Sequence, residues 1–226
     1  MGRTPRAFTL IELLVTMAII SILTALLMPV VIATRTKVYA HVSGGGLRQV
    51  GMACSLYRTD HDGYFPIPHW AGPGDTTDVN GDGVAEWYEK LVPYVDTVRV
   101  FRVTVDQSDA ALRPSSFADN SWFDYRVNDS IVVDPSDTIY ATEREDWYPH
   151  DFIEWWRWQD GVWPPDPSNV PTEAARPQVD IERYNGFVNY LYVDGHVKQK
   201  RFADTWSPRV SWWPEAPVDV PEGPRL

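Results

Sequence analysis

The run Asp78-Val79-Asn80-Gly81-Asp82-Gly83-Val84-Ala85-Glu86-Trp87-Tyr88-Glu89 sets side-chain oxygens and glycines at a spacing that suits a hard divalent cation. Asp78, Asn80 and Asp82 offer oxygens two residues apart, Gly83 permits a sharp turn, and Val84 offers its carbonyl. Glu86 reaches the ion directly or through water, and Glu89 closes the shell. Such an ion takes about 6–8 oxygens at ~2.3–2.6 Å, so the chain must curl back to deliver the last carboxylate. The expected occupant is calcium in a structural role. Pro73 to Thr77 reads as loop, which leaves only the exit side, Ala85 to Leu91, to be helical and favours a single clip over a paired sensor. The alternative is an acidic, glycine-rich turn that holds no metal.

A second ionisable residue sits where solvation works against it. Phe8 to Ala33 is a nearly unbroken apolar run of 26 residues, longer than the roughly 20 a helix needs to cross a bilayer. It continues through Pro29 and Val30 with no small-x-small cleavage site, so it reads as a membrane helix and not as a removable secretory signal. Arg3 and Arg6 on the short side place the N-terminus in the cytoplasm and the long acidic remainder outside. Glu12 lies inside this run, where an unpaired acid costs about 2.5–3.5 kcal/mol or more. It either snorkels to the headgroups or finds a partner.

The string Arg6-Ala7-Phe8-Thr9-Leu10-Ile11-Glu12 resembles the processing site of the type IV pilin and pseudopilin family. The resemblance implies a long N-terminal α-helix packed on a small antiparallel β-sheet head, an α+β fold. It also implies that a prepilin peptidase cuts between Ala7 and Phe8, removing leader 1–7, and methylates the new Phe8 amine. Ala7 stands where the family usually has Gly. Glu12 then pairs with the Phe8 amine of a neighbouring subunit as the helix enters a filament. The implied partners are copies of the chain or other pilin-like subunits, the peptidase and methylase, an inner-membrane assembly platform, and lipid before assembly. Pro29 is a point where the helix can kink.

A further resemblance, to a pseudopilin-like group, rests on Leu47-Arg48-Gln49-Val50-Gly51, Tyr57 and Asp62-Gly63-Tyr64-Phe65-Pro66. That group carries near its end a His, nine residues, then Asp-Gly. Here Tyr184 occupies the His position ahead of Asp194-Gly195.

These residues need elements to position them. After the membrane and filament-core helix 8–34, residues 35–58 read as an amphipathic stem helix. Ser43-Gly44-Gly45-Gly46 predicts a break or flexible joint, since each glycine costs a helix interior about 1 kcal/mol. Leu47, Val50, Met52, Cys54 and Leu56 supply apolar contacts, with Cys54 a small buried hydrophobe. The turn-rich run 59–66 ends the helix and opens the head, 59–213. There, Phe187 to Val193 and His196 to Phe202 read as a hairpin about a two-residue Asp194-Gly195 turn. Val98 to Val105, Ile131 to Val133 and Thr138 to Ala141 are further strand candidates. Eight of the 11 tryptophans fall between Trp147 and Trp213, among them Trp155, Trp156, Trp158 and Trp163. They either fill the core or form a platform for glycans or a partner. The tail, 214–226, is Pro-rich.

With 226 residues, 44% of them apolar and 13% aromatic, the chain is one that folds. A net charge of −11 argues against a nucleic-acid-coating protein, and one cysteine excludes an intrachain disulfide. No phosphate loop, nucleophile elbow or zinc spacing is present, and the five histidines are scattered. The chain therefore reads as a non-enzymatic structural subunit of a pilus-like or pseudopilus-like filament. The alternative is a membrane-anchored extracytoplasmic binding module that never polymerises.

Overall fold

Helix α1 runs from Leu10 to Asp60 in the computed structural model, which describes residues 9–70, 76–79, 81, 83–110, 113–153, 178–205 and 212. Two compact units divide the chain, Met1–Val38 and Tyr39–Leu226.

In the first unit no side chain between Leu10 and Arg35 is buried, and the helix is long and apolar enough to cross a membrane. Its hydroxyls are tied back to the helix itself. Thr16 donates to the Leu13 carbonyl, Ser21 to Met17, Thr24 to Ile20 and Thr34 to Val30, at 2.7–2.9 Å. Each bond removes a polar hydrogen that lipid could not satisfy. The helix passes through Pro29 unbroken.

The second unit begins with the stem. Ala40, Ser43, Gly44, Leu47, Val50, Gly51, Ala53 and Cys54 are its buried face, the three-and-four spacing of a helix lying on a layer. That layer is a five-stranded sheet in the order β5-β3-β4-β6-β7. Its strands are β3 (Phe117–Asn120), β4 (Ile139–Glu143), β5 (Phe152–Ile153), β6 (Val188–Tyr192) and β7 (Val197–Lys200). All pairings are antiparallel except β3 with β5. A second, two-stranded sheet pairs β1 (His69–Trp70) with β2 (Val84–Ala85). Leu47, Val50, Trp87, Phe117, Trp122 and Leu191 share one core. A long N-terminal helix and a mostly antiparallel sheet form the expected α+β architecture.

Several local expectations are corrected. Residues 43–46 are continuous helix, and of the three glycines Gly46 serves close packing: a Cβ there would lie 3.1 Å from the Val100 carbonyl oxygen. Met52 and Leu56 are 61% and 53% exposed, on the face away from the core. Val98–Phe101 is a 3₁₀ helix in place of a strand, begun by the Thr97 side chain accepting the Arg99 N–H at 3.3 Å. Asp129–Ile131 is likewise 3₁₀, begun by Asn128 accepting the Ser130 N–H at 3.1 Å. Thr138 to Ala141 overlaps β4, and the hairpin is β6–β7. Its loop has three residues, Val193–Gly195, and not two: Tyr192 N–H donates to the His196 carbonyl, and only Gly195 has a positive φ, 90°.

Of the eight tryptophans between Trp147 and Trp213, Trp212 is fully buried and Trp147 is 59% exposed; Trp87 and Trp122, outside that span, are fully buried. Trp155, Trp156, Trp158, Trp163 and the tail lie outside the described residues.

Candidate functional site

At the entrance of α1 the chain caps itself. Thr9 Oγ1 accepts the Glu12 N–H at 3.3 Å, while Glu12 Oε2 accepts the Thr9 N–H at 2.9 Å and the Thr9 hydroxyl at 2.7 Å. This is a capping box, which satisfies helix donors reciprocally. A carboxylate there also meets the positive end of the helix dipole. The sequence carried the signal, Thr-x-x-Glu, inside the very string read for processing, and that reading passed over it. Ala7 and Phe8 lie outside the described residues.

Loop 78–89 curls about Asp78. Its Oδ1 accepts the Gly81 N–H at 2.6 Å and its Oδ2 the Gly83 N–H at 3.0 Å; both glycines have positive φ, 77° and 93°. Val84 is in β2, opposite Trp70. Glu89 is buried and its Oε2 accepts the Glu86 N–H at 3.0 Å. A 3₁₀ helix, Glu89–Tyr94, follows, so the exit is a short strand and then a 3₁₀ helix, not a helix over Ala85 to Leu91. The Glu86 side chain lies beside the buried Asp151 carboxyl. Burial, reinforced by neighbouring Asp124 and Asp151, holds Asp119 well above the usual carboxylate range. Asn80 and Asp82 are outside the described residues. Among those described, no three His, Cys, Asp or Glu side chains are placed to share a metal ion.

The stem-to-head joint holds a buried polar cluster that sequence reading missed, because its members are remote in the chain. Glu143, on β4, is fully buried. Its Oε1 accepts the Ser43 hydroxyl at 2.5 Å and Asn189 Nδ2 at 2.8 Å, and the same Nδ2 donates to the Ala40 carbonyl at 2.8 Å. Arg183 Nη1 lies 3.9 Å from Glu143 Oε2, and the guanidinium also pairs with Asp180 and Asp146. Burial pushes the Glu143 carboxyl up to about 7, against the opposing pull of Ser43, Asn189 and Arg183. Tyr184, in the His position of the His-x9-Asp-Gly frame, is buried beside this carboxyl. The joint thus binds stem to sheet by one acid that accepts from both.

Residues 3–28 match the family model described as the Prokaryotic N-terminal methylation motif. The match covers Arg3, Arg6, Glu12 and most of the apolar run, and marks the chain as prepilin-type at its N-terminus, the signature of a structural family. No curated protein and no solved structure matches the chain.

Proposed function

We propose that this chain is a structural subunit of a type IV pilus-like or type II secretion pseudopilus-like filament. A prepilin peptidase cuts between Ala7 and Phe8 and methylates Phe8. The processed helix waits in the inner membrane with the head outside, then packs with copies of itself or other pilin-like subunits at an assembly platform. The observation that carries this reading is the methylation-motif match over residues 3–28 with Glu12 in its apolar helix. Both Thr9 donors bond one oxygen, Oε2, and the other oxygen is where a neighbouring Phe8 amine docks. An acid that lipid penalises becomes the register of assembly.

Glu12→Ala and Glu12→Leu leave the protein in the membrane and abolish filaments; an unaltered filament yield refutes the pairing. Mass spectrometry of the mature N-terminus separates this reading from the non-polymerising binding module, which the exposed Trp147 favours. Methyl-Phe8 supports the subunit, and an intact Met1 supports the anchor.

The proposal extends to calcium. Asp78, Asn80, Asp82, the Val84 carbonyl, Glu86 and Glu89 would hold it, and the curl of the chain from Asp78 through Gly83 supports this set. The ion would act as a structural clip on the head. A ligand bound only by the folded state raises its stability, so the full chain in detergent melts higher in calcium than in chelator. Equal midpoints remove the metal.

A further inference from the structure

The dipeptide Asn-Gly occurs twice, at Asn80-Gly81 and at Asn185-Gly186. It is the pairing in which an asparagine side chain is most open to attack by the following backbone nitrogen, because glycine puts no side chain in the way. The two copies differ in what holds that nitrogen. The Gly81 N–H donates to Asp78 Oδ1 at 2.6 Å, so a carboxylate occupies it. Among the described residues the Gly186 N–H has no hydrogen-bond partner, and neither has the Asn185 side-chain amide. The other described asparagines, Asn120, Asn128 and Asn189, each donate through Nδ2 to a backbone carbonyl.

Asn185 and Gly186 are the central residues of a tight turn from Tyr184 to Phe187, with φ of 58° and 85°, the pair of positive angles that Asn-Gly fills best. Asn185 is exposed, and a Cβ on Gly186 would meet nothing within 4 Å, so a ring closed between the two residues has room. One long bond closes the turn, from the Phe187 N–H to the Tyr184 carbonyl at 3.4 Å, outside the roughly 2.7–3.2 Å of a good one. Rotation of Asn185 into the geometry of attack therefore breaks little.

We infer that Asn185 is a site of spontaneous succinimide formation in the folded chain and that Asn80 is not. The Gly186 nitrogen bonds to Asn185 Cγ, the Cγ–Nδ2 bond breaks, and ammonia leaves with the proton from the Gly186 nitrogen. Water then opens the ring at either carbonyl and yields aspartate or isoaspartate. Either product adds a negative charge, and isoaspartate also inserts a carbon into the main chain. That insertion falls beside Tyr184, which is buried against the Glu143 carboxyl of the stem-to-head joint, and just ahead of β6, whose Asn189 ties the sheet to Ala40. Isoaspartate at 185 thus loosens the joint. The inference does not rest on the filament reading.

The test is peptide mapping by mass spectrometry of the full chain in detergent, aged in mildly alkaline buffer with chelator so that no cation holds Asn80, beside the same chain aged in urea. In urea the two asparagines convert at similar rates. In the folded chain Asn185 converts about tenfold faster than Asn80 or more, the protection that a hydrogen bond to a carboxylate gives the Gly81 nitrogen. Asp78→Ala removes that bond and brings Asn80 up toward the rate of Asn185. The aged fraction with isoaspartate at 185 melts below the variant Asn185→Asp, which carries the same charge on an unaltered main chain. The inference is overturned if the folded chain converts Asn80 as fast as Asn185, if Asn185 stays intact there while converting in urea, or if Asn80 stays protected in Asp78→Ala. Equal midpoints for the isoaspartate fraction and Asn185→Asp overturn the link to the joint.

Discussion

The Glu143 carboxyl gives the joint a definite pH signature. Its folded-state value, about 7, is raised from an ordinary 4.5 by burial. The folded protein therefore holds a proton that the unfolded chain has released between those values. This contribution is fully present below about pH 4.5 and is lost as pH rises through 7. Each pH unit in that window costs about 1.4 kcal/mol, so the whole passage costs about 3 kcal/mol. For a chain of this size that corresponds to roughly 6–12 °C in midpoint. Glu143→Gln keeps an acceptor for Ser43 and cannot titrate. The assay is a series of thermal melts of the full chain in detergent from pH 4.5 to 8.5, for wild type and Glu143→Gln, read as the difference between the two curves. Glu145, also pushed up to about 7 by burial, is partly exposed and cancels in that difference. The difference is expected to change by about 3 kcal/mol across the window, with the wild type losing more at high pH. A flat difference curve refutes the claim that Glu143 is the buried acid on which the joint depends.

Two further outcomes follow from local geometry. Gly51→Ala places a Cβ 2.7 Å from Leu191 Cδ1 and 3.3 Å from the Gly195 carbonyl oxygen, so it destabilises the head by about 1–3 kcal/mol, measured as a lower midpoint. Asp78→Ala removes the acceptor for the Gly81 and Gly83 amides and should abolish any difference between melts in calcium and in chelator.

The elements legible from sequence were those whose signal is local. The apolar run, the stem face of Leu47, Val50 and Cys54, and the β6–β7 hairpin each show their period within a few residues. Strand β3 was not legible, since Asp119 and Asn120 disfavour strands and only cross-strand pairing with β4 overrides them. Val98 to Val105 looked like a strand by composition, yet the Thr97 cap sets a 3₁₀ turn. The glycine cluster was misread for the opposite reason: the meaning of Gly46 lies in how closely Val100 approaches, a distance no local window contains. Within the candidate sites, Glu12 and the loop oxygens could be named from spacing. The Ser43–Glu143–Asn189 joint could not, as its members are separated by 46 to 149 positions in their bonds to one another and to Ala40.

The Thr9–Glu12 box has a consequence for reversibility. In the proposed filament the Thr9 donors stay on Oε2 and a neighbour's amine takes the other oxygen, so assembly exchanges the surroundings of an anion that is already partly satisfied instead of rescuing a bare one. The net free energy of that exchange is a small difference between comparable terms. On the filament reading, a subunit so built is neither trapped in the bilayer nor locked into the polymer, and modest work applied from outside would suffice to extend or withdraw it.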